Sequence, residues 1–288
     1  MSRNRRGWWG LLFVAPALLF LFVYFILPII YSGNLSFYKV ELTGRSWVGF
    51  ENYLALGDQD HLSNGIRVSA KFLTAYLFFN IVVAYLLAIG MSKFSPRFCG
   101  VMLTYYHIPC LISAISSIAV WRWLYRYPGG GFNEVLEALH LPTMMFLGNP
   151  RIAAWAICFV MMGGMVGSST VLYAATISQV NKEILGAARL DGANELQVIW
   201  HILTPLTQPV RMYILIGNFI GAMNVWEHPF FFTGGGPFGS TRTMMFEIYY
   251  TAFVKHRFGL ASALTMVMMG IALVIAIVSM RRVRSYLG

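Results

Sequence analysis

With 288 residues, 58% of them hydrophobic and only 11% charged, and a mean hydropathy of +0.64, the chain falls outside the water-soluble class, whose domains carry roughly 25% charged residues. The net charge of +10 sits on the flanks of apolar runs and forms no basic patch interleaved with exposed aromatics. Anionic lipid headgroups, not nucleic acid, are the expected counterpart.

A hydrocarbon core of ~30 Å takes about 20 residues of helix, and six runs satisfy that length: Trp8 to Tyr31, Ala70 to Met91, Val101 to Trp121, Ile152 to Thr176, Val210 to Trp226 and Gly259 to Met280. They are continuously apolar instead of alternating, which predicts helices and excludes a barrel. The first run follows Arg3, Arg5 and Arg6 as a secretory signal would, yet it is too long, and no small-residue cleavage site precedes the polar, aromatic stretch Tyr31 to Tyr38. It reads as a retained helix. The third run contains Pro109, and the fifth is short. Trp8, Trp9, Trp121, Trp123, Trp200 and Trp226 lie near predicted span ends, where amphipathic rings belong.

Lys and Arg near the span ends set the orientation. The N-terminal segment, the second connection with Lys93 and Arg97, and the tail with Arg281, Arg282 and Arg284 share one side, expected to be the cytoplasm. The opposite connections hold Lys39, Arg45, Arg122, Arg126, Lys255 and Arg257 at lower density, mixed with eight of the eleven acids. Both termini are therefore expected inside the cell.

The chain carries none of the usual motifs for phosphate or metal chemistry. There is no GxxxxGK[ST] phosphate loop, no HExxH and no Cys/His cluster, so neither ATP nor a metal has its usual site here. Cys99, Cys110 and Cys158 have no paired spacing, and the last two fall in apolar runs as small hydrophobes. His61, His107, His140, His201, His228 and His256 stand one per segment and read as structural. No acid lies inside the six runs; Glu227 and Glu247 fall just beyond the fifth and in the last outer connection. That argues against a proton-coupled carrier, which would need a titrating group at the midplane.

Between the fourth and fifth runs stands a polar, charge-bearing island, Asn181 to Pro209. Lys182 to Leu190 has helical spacing, Ala187 and Ala188 favour helix, and Gly192 after Asp191 permits a sharp change of direction. A second helical stretch, Glu195 to Leu203, should end at Pro205, with Pro209 following. Two short helices meeting at a glycine make a knob suited to a groove on another protein. An amphipathic interfacial loop is the alternative.

The island resembles the Glu-Ala-Ala loop in the membrane subunits of bacterial ATP-binding cassette importers. Gly186, Ala187, Ala188, Arg189, Leu190, Asp191, Gly192 and Ala193 fit the core of that loop, and Ile202 and Pro205 its end. Gly186 stands where the family usually has Glu, with Glu183 one turn earlier as a partial substitute, and Thr204 stands where Leu is usual. Further along the chain, Gly49, Phe50, Asn52 and Tyr53, then Pro109 and Trp121, then Gly131 with Asn133 resemble other family segments. The run Thr233, Gly234, Gly235, Gly236, Pro237 and later Gly259, Ala261, Ser262, Ala263 is similar to a narrower group, the first-type permeases of maltose, lactose, glycerol-3-phosphate and multiple-sugar importers.

The resemblance implies an all-α membrane protein with six transmembrane helices, the type I importer permease fold, and both termini cytoplasmic in the bacterial inner membrane. It makes residues 1–288 one permease domain with a coupling loop at about 181–209. It implies a heterodimer with a second homologous permease, two ATPase subunits that bind ATP and Mg, an extracytoplasmic binding protein that delivers a carbohydrate, and no cofactor on this chain itself. Coupling would rest on Glu183, Gly186, Ala187, Ala188, Arg189, Asp191, Gly192 and Ala193. Helices flanking the loop line the solute cavity in relatives, which makes Asn218, Ser168, Asn224 and Tyr173 candidates for the carbohydrate, since sugars need neutral donors, acceptors and an aromatic face. For Ser168 and Ser169, as for Gly163, Gly164 and Gly167, helix packing is the competing role. The outer stretch Trp47 to Tyr53 and the Thr233 to Pro237 turn are expected to face the binding protein. A glycerol-3-phosphate or other non-sugar permease and a self-contained carrier are the alternative functions. A membrane enzyme lacks any convergent acid, base or metal set.

Overall fold

A computed structural model describes residues 13–41, 44–57 and 60–287. The N-terminal arginines and the Trp8 start of the first run lie outside the described residues. The chain divides into two compact units, residues 1–61 with 247–270 and residues 62–246 with 271–288.

The first unit opens with α1 (Phe13–Leu35), an apolar helix long enough to cross a membrane. Its end passes into an antiparallel hairpin, β1 (Tyr38–Glu41) and β2 (Gly44–Trp47), pairing Tyr38 with Trp47. This hairpin is a departure from an all-helical fold. It is held by aromatic cross-strand contact and by the Arg45 guanidinium 3.7 Å from the centre of the Tyr38 ring. In α2 (Glu51–Gly57), the buried Asn52 donates to the carbonyls of Ser36 (2.7 Å) and Tyr38 (2.9 Å), and Tyr53 shares a 2.7 Å hydrogen bond with the Ser36 hydroxyl. Those two family-like residues are therefore internal braces, while Trp47 and Phe50 stay exposed. Gly259 passes so close that a Cβ there would lie 1.8 Å from the Tyr38 carbonyl oxygen. The same unit holds Glu247, a carboxylate buried to 1% exposure.

The second unit is a helical bundle. Its long helices are α3 (Leu62–Ser92) and α7 (Ala153–Ser178), and α7 packs against α3 and α4 (Pro96–Leu111). The third predicted run is not one rod: α4 ends at Leu111, α5 (Ala114–Leu124) begins three residues later, and the two are bent by 90°. Ile112 and Ser113 are extended, and Pro109 has already removed a ladder donor in the last turn. The fifth run is α10 (Gln208–Met223), whose 16 residues extend only about 24 Å at 1.5 Å per residue. Among the described residues four helices, α1, α3, α7 and α13 (Phe258–Leu287), are long and apolar enough to cross a membrane, or five if the bent pair is one span.

Small and polar residues weld α3, α4 and α7 of the second unit. A Cβ on Gly167 would sit 2.0 Å from the Tyr106 carbonyl oxygen, so α7 and α4 touch backbone to backbone. Within α3 the helix widens to i→i+5 bonding over Phe78–Val83, and the buried Asn80 there accepts a 2.7 Å hydrogen bond from Ser169 of α7. A buried polar pair of this kind fixes the relative register of two otherwise greasy helices.

Candidate functional site

The island folds as two short helices. In α8 (Lys182–Leu190) the Asn181 side chain caps the N-terminus by accepting from the Glu183 N–H at 2.9 Å. At the other end the Ala193 N–H reaches the Ala188 carbonyl (3.0 Å) and the Gly192 N–H reaches that of Arg189 (3.1 Å), the paired bonds of a Schellman stop. The stop needs a left-handed residue, and Gly192 supplies it with φ +85° and open space around it. A β-branched residue would be strained there by backbone conformation alone.

The return helix, α9 (Glu195–Val198), starts at a capping box: Asn194 and Gln197 exchange side-chain-to-backbone bonds of 2.8 Å each. It does not stop before Pro205. The chain continues through a widened turn, Ile199–Leu203, into a helical turn at Thr204–Leu206, where proline stands in a first turn that requires no N–H from it.

Two features fasten the island. Leu185 and Ile199 pack on a buried cluster that includes Ala84, Ala88, Tyr173, Leu203 and Ile214. Glu195 bridges Arg189 (3.0 Å) and Lys93 (3.4 Å), and these cations, Lys93 first, hold its carboxyl below the usual carboxylate range. Thr204 gains a purpose as well: its hydroxyl is 2.9 Å from Tyr85 Oη on α3, and its carbonyl accepts from Arg211 of α10. A leucine at that position could make no such side-chain link. The sequence drew no attention to Asn194, Tyr85 and Arg211, and Lys93 stood out only as an orienting charge; of these Asn194 alone had a local signature, Asn-x-x-Gln.

The tip, in contrast, is bare. Leu190 is 90% exposed and Leu196 66%, with Glu183, Ala187, Arg189 and Asp191 also exposed. Nothing lies within 4 Å of where a Gly186 Cβ would be.

The solute candidates separate. Asn218 of α10 is 7% exposed and its amide makes no hydrogen bond among the described residues, an arrangement that leaves donor and acceptor for a solute. Ser168 of α7 lies 3.4 Å from Cys110 Sγ on α4. Asn224 is exposed, but its amide donates back to the Ile220 carbonyl at 2.8 Å. Tyr173 is fully buried in the cluster under the island, its ring 5.2 Å from that of Tyr85. Tyr173 is thus placed with the island's base. The Thr233 to Pro237 turn is stiff: Thr241, itself buried, bonds both Thr233 Oγ1 (2.7 Å) and the Gly236 carbonyl (3.0 Å). His228, beside it on α11 (Glu227–Thr233), is pushed down to about 4 by burial and stays neutral at ordinary pH.

Apolar helices stitched by small and polar residues, with one exposed helical knob between two of them, define a membrane-embedded protein that leaves a polar projection uncovered. The chain belongs to the family described as binding-protein-dependent transport system inner membrane components, whose profile matches residues 68–288. It is 29% identical over 280 residues, 94% of each chain, to the "Probable ABC transporter permease protein YurN" of Bacillus subtilis. It is 25% identical over 283 residues to the sulfoquinovosyl glycerol transport system permease protein SmoG of Agrobacterium fabrum, covering 96% of this chain and 90% of that one. Its fold is that of a chain in the crystal structure of a bacterial alginate ABC transporter in complex with alginate pentasaccharide-bound periplasmic protein, with a TM-score of 0.85, 19% identity and coverage of 96% and 93%.

Proposed function

We propose that this chain is the membrane permease subunit of an ATP-binding cassette importer that translocates a carbohydrate handed over by an extracytoplasmic binding protein. Residues 1–288 act as one permease domain with six crossings in the bacterial inner membrane, the bent α4–α5 pair and the short α10 supplying the third and fifth, and with both termini in the cytoplasm. A second, homologous permease completes the translocation path. Two ATPase subunits, holding ATP and Mg, dock on the cytoplasmic side, and this chain hydrolyses nothing itself.

One observation carries the reading: the island at 181–209 has an exposed tip at Leu190 and a base locked into the bundle by Leu185, Ile199 and the Thr204–Tyr85 bond. A tip that moves with a motor and a base that cannot move without its helices act together as a lever. Glu183, Gly186, Ala187, Ala188, Arg189, Asp191, Gly192 and Ala193 form the contact, and Asn218, then Ser168, Asn224 and Tyr173, serve the solute path or the helices that frame it. Carbohydrate as cargo is supported by the relatives' names, sulfoquinovosyl glycerol and trehalose/maltose among them, while the absence of acids from the apolar runs argues against a proton-coupled carrier.

The test is Gly192→Val in the assembled complex. Strain of about 1–2 kcal/mol at a left-handed position should distort the α8–α9 angle, so ATP hydrolysis continues while solute uptake in proteoliposomes falls several-fold and membrane insertion is unchanged. Undiminished uptake with normally stimulated ATPase would contradict the lever.

A further inference from the structure

Away from the island, the second unit holds a cleft of about 670 Å³ where α5 ends, within the range of sites for small molecules. Arg122, Trp123, Arg126 and Tyr127 line it together with Leu147 and Phe232. No carboxylate lines it among the described residues. Arg122 and Arg126 are exposed, and neither forms an ion pair among the described residues.

The cleft is built, not incidental. Arg122 is steadied by donating to the Phe231 carbonyl at 3.2 Å. Asn133, fully buried in α6 (Gly131–Ala138), joins the walls: its amide N–H groups reach the carbonyls of Arg126 (3.0 Å) and Met144 (3.2 Å), and its oxygen accepts from the Met144 N–H (2.8 Å). Gly130 and Gly131 let the chain double back there, since a Cβ would lie 2.4 Å from the Arg126 carbonyl oxygen at the first and 2.8 Å from Leu124 Cδ2 at the second. Tyr125 and Phe146 of the lining pack with Phe132 in a cluster of mutually tilted rings. Two guanidinium groups and the rings of Trp123 and Tyr127 line the same cleft, a set that suits a ligand with a carboxylate on a ring that has an apolar face. Guanidinium takes a carboxylate bidentately, and the aromatic rings take the face.

We propose that this cleft is a binding site for an acidic saccharide, a uronate or similarly carboxylated sugar, with Arg126 and Arg122 holding the carboxylate and Trp123 or Tyr127 stacking on the ring. The proposal rests on the importer reading and narrows its cargo. An anionic lipid headgroup offers the same charge, so the test separates the two.

Calorimetry on the full chain with its co-purified partner subunits, in zwitterionic-lipid nanodiscs, should detect digalacturonate binding roughly tenfold or more tighter than its neutral counterpart galactobiose, the worth of one charge-assisted bidentate contact. Arg126→Gln should erase that difference, and Arg126→Lys should restore it in part. Nanodiscs containing phosphatidylglycerol should bind digalacturonate as before. Equal affinity for the two sugars, an unaltered preference in Arg126→Gln, or displacement of the sugar by phosphatidylglycerol would each overturn the site. ATP-driven uptake of neutral sugar without acidic preference would sink the cleft and leave the importer standing, whereas a complex that moves no saccharide at all would sink the importer.

Discussion

The island at 181–209 and the cleft at the end of α5 use the same parts to opposite ends. Each turns the chain at glycine and each is pinned by an asparagine. In the island Asn194 is exposed and bonds only within its own turn. In the cleft Asn133 is fully buried and reaches residues 7 and 11 positions away. A local cap defines the shape of a projection and leaves its surface free. A buried amide that spans two segments defines a cavity and makes the surrounding fold depend on it.

That contrast orders the expected effects. Asn133→Ala should be the most damaging, because it takes the partner from both the N–H and the carbonyl of Met144 and removes one of the two donors to the Arg126 carbonyl; we expect a loss of about 2 kcal/mol, read as a drop in the unfolding midpoint of the detergent-solubilised chain. A loss no larger than that of a surface change would show that the cleft is not held as described. Asn194→Ala should cost about 1 kcal/mol, the usual worth of a cap. It should be visible as faster amide exchange over residues 195–198 with the global midpoint almost unmoved. The Glu195 bridge should matter least. Its carboxyl titrates below the ordinary range, so its contribution is complete above the ordinary carboxylate pKa and disappears as pH falls through the lowered value. Both partners are exposed, so Glu195→Gln should remove this pH dependence of island exchange and change little else.

Much of the island could be read from its residues: the α8 boundaries, the turn at Gly192 and the second helix all follow from spacing and glycine chemistry. The continuation through Pro205 could not, because whether a proline ends a helix or sits in a new first turn depends on the widened turn before it. The 90° break after Leu111 was hidden for a related reason. A hydropathy run records apolarity, and apolarity does not change when the backbone becomes extended at Ile112 and Ser113. The cleft was invisible altogether: Arg122 and Arg126 looked like ordinary charges of an outer connection, and only the fold brings Met145 to Gly148 into the same cleft. Tyr173 is buried in the cluster beneath the island, a placement the residues alone did not reveal, since an aromatic on such a helix can face either way.

The contact at Gly167 limits how the protein can deform. With main chain against main chain, α4 and α7 have no layer of side chains to shear through, and repulsion at the Tyr106 carbonyl rises too steeply for either to slide past the other. They are one mechanical body made of two segments. Any opening and closing of a passage must therefore be accommodated at looser seams, and a methyl group added at residue 167 would split a component that the working cycle needs to keep whole.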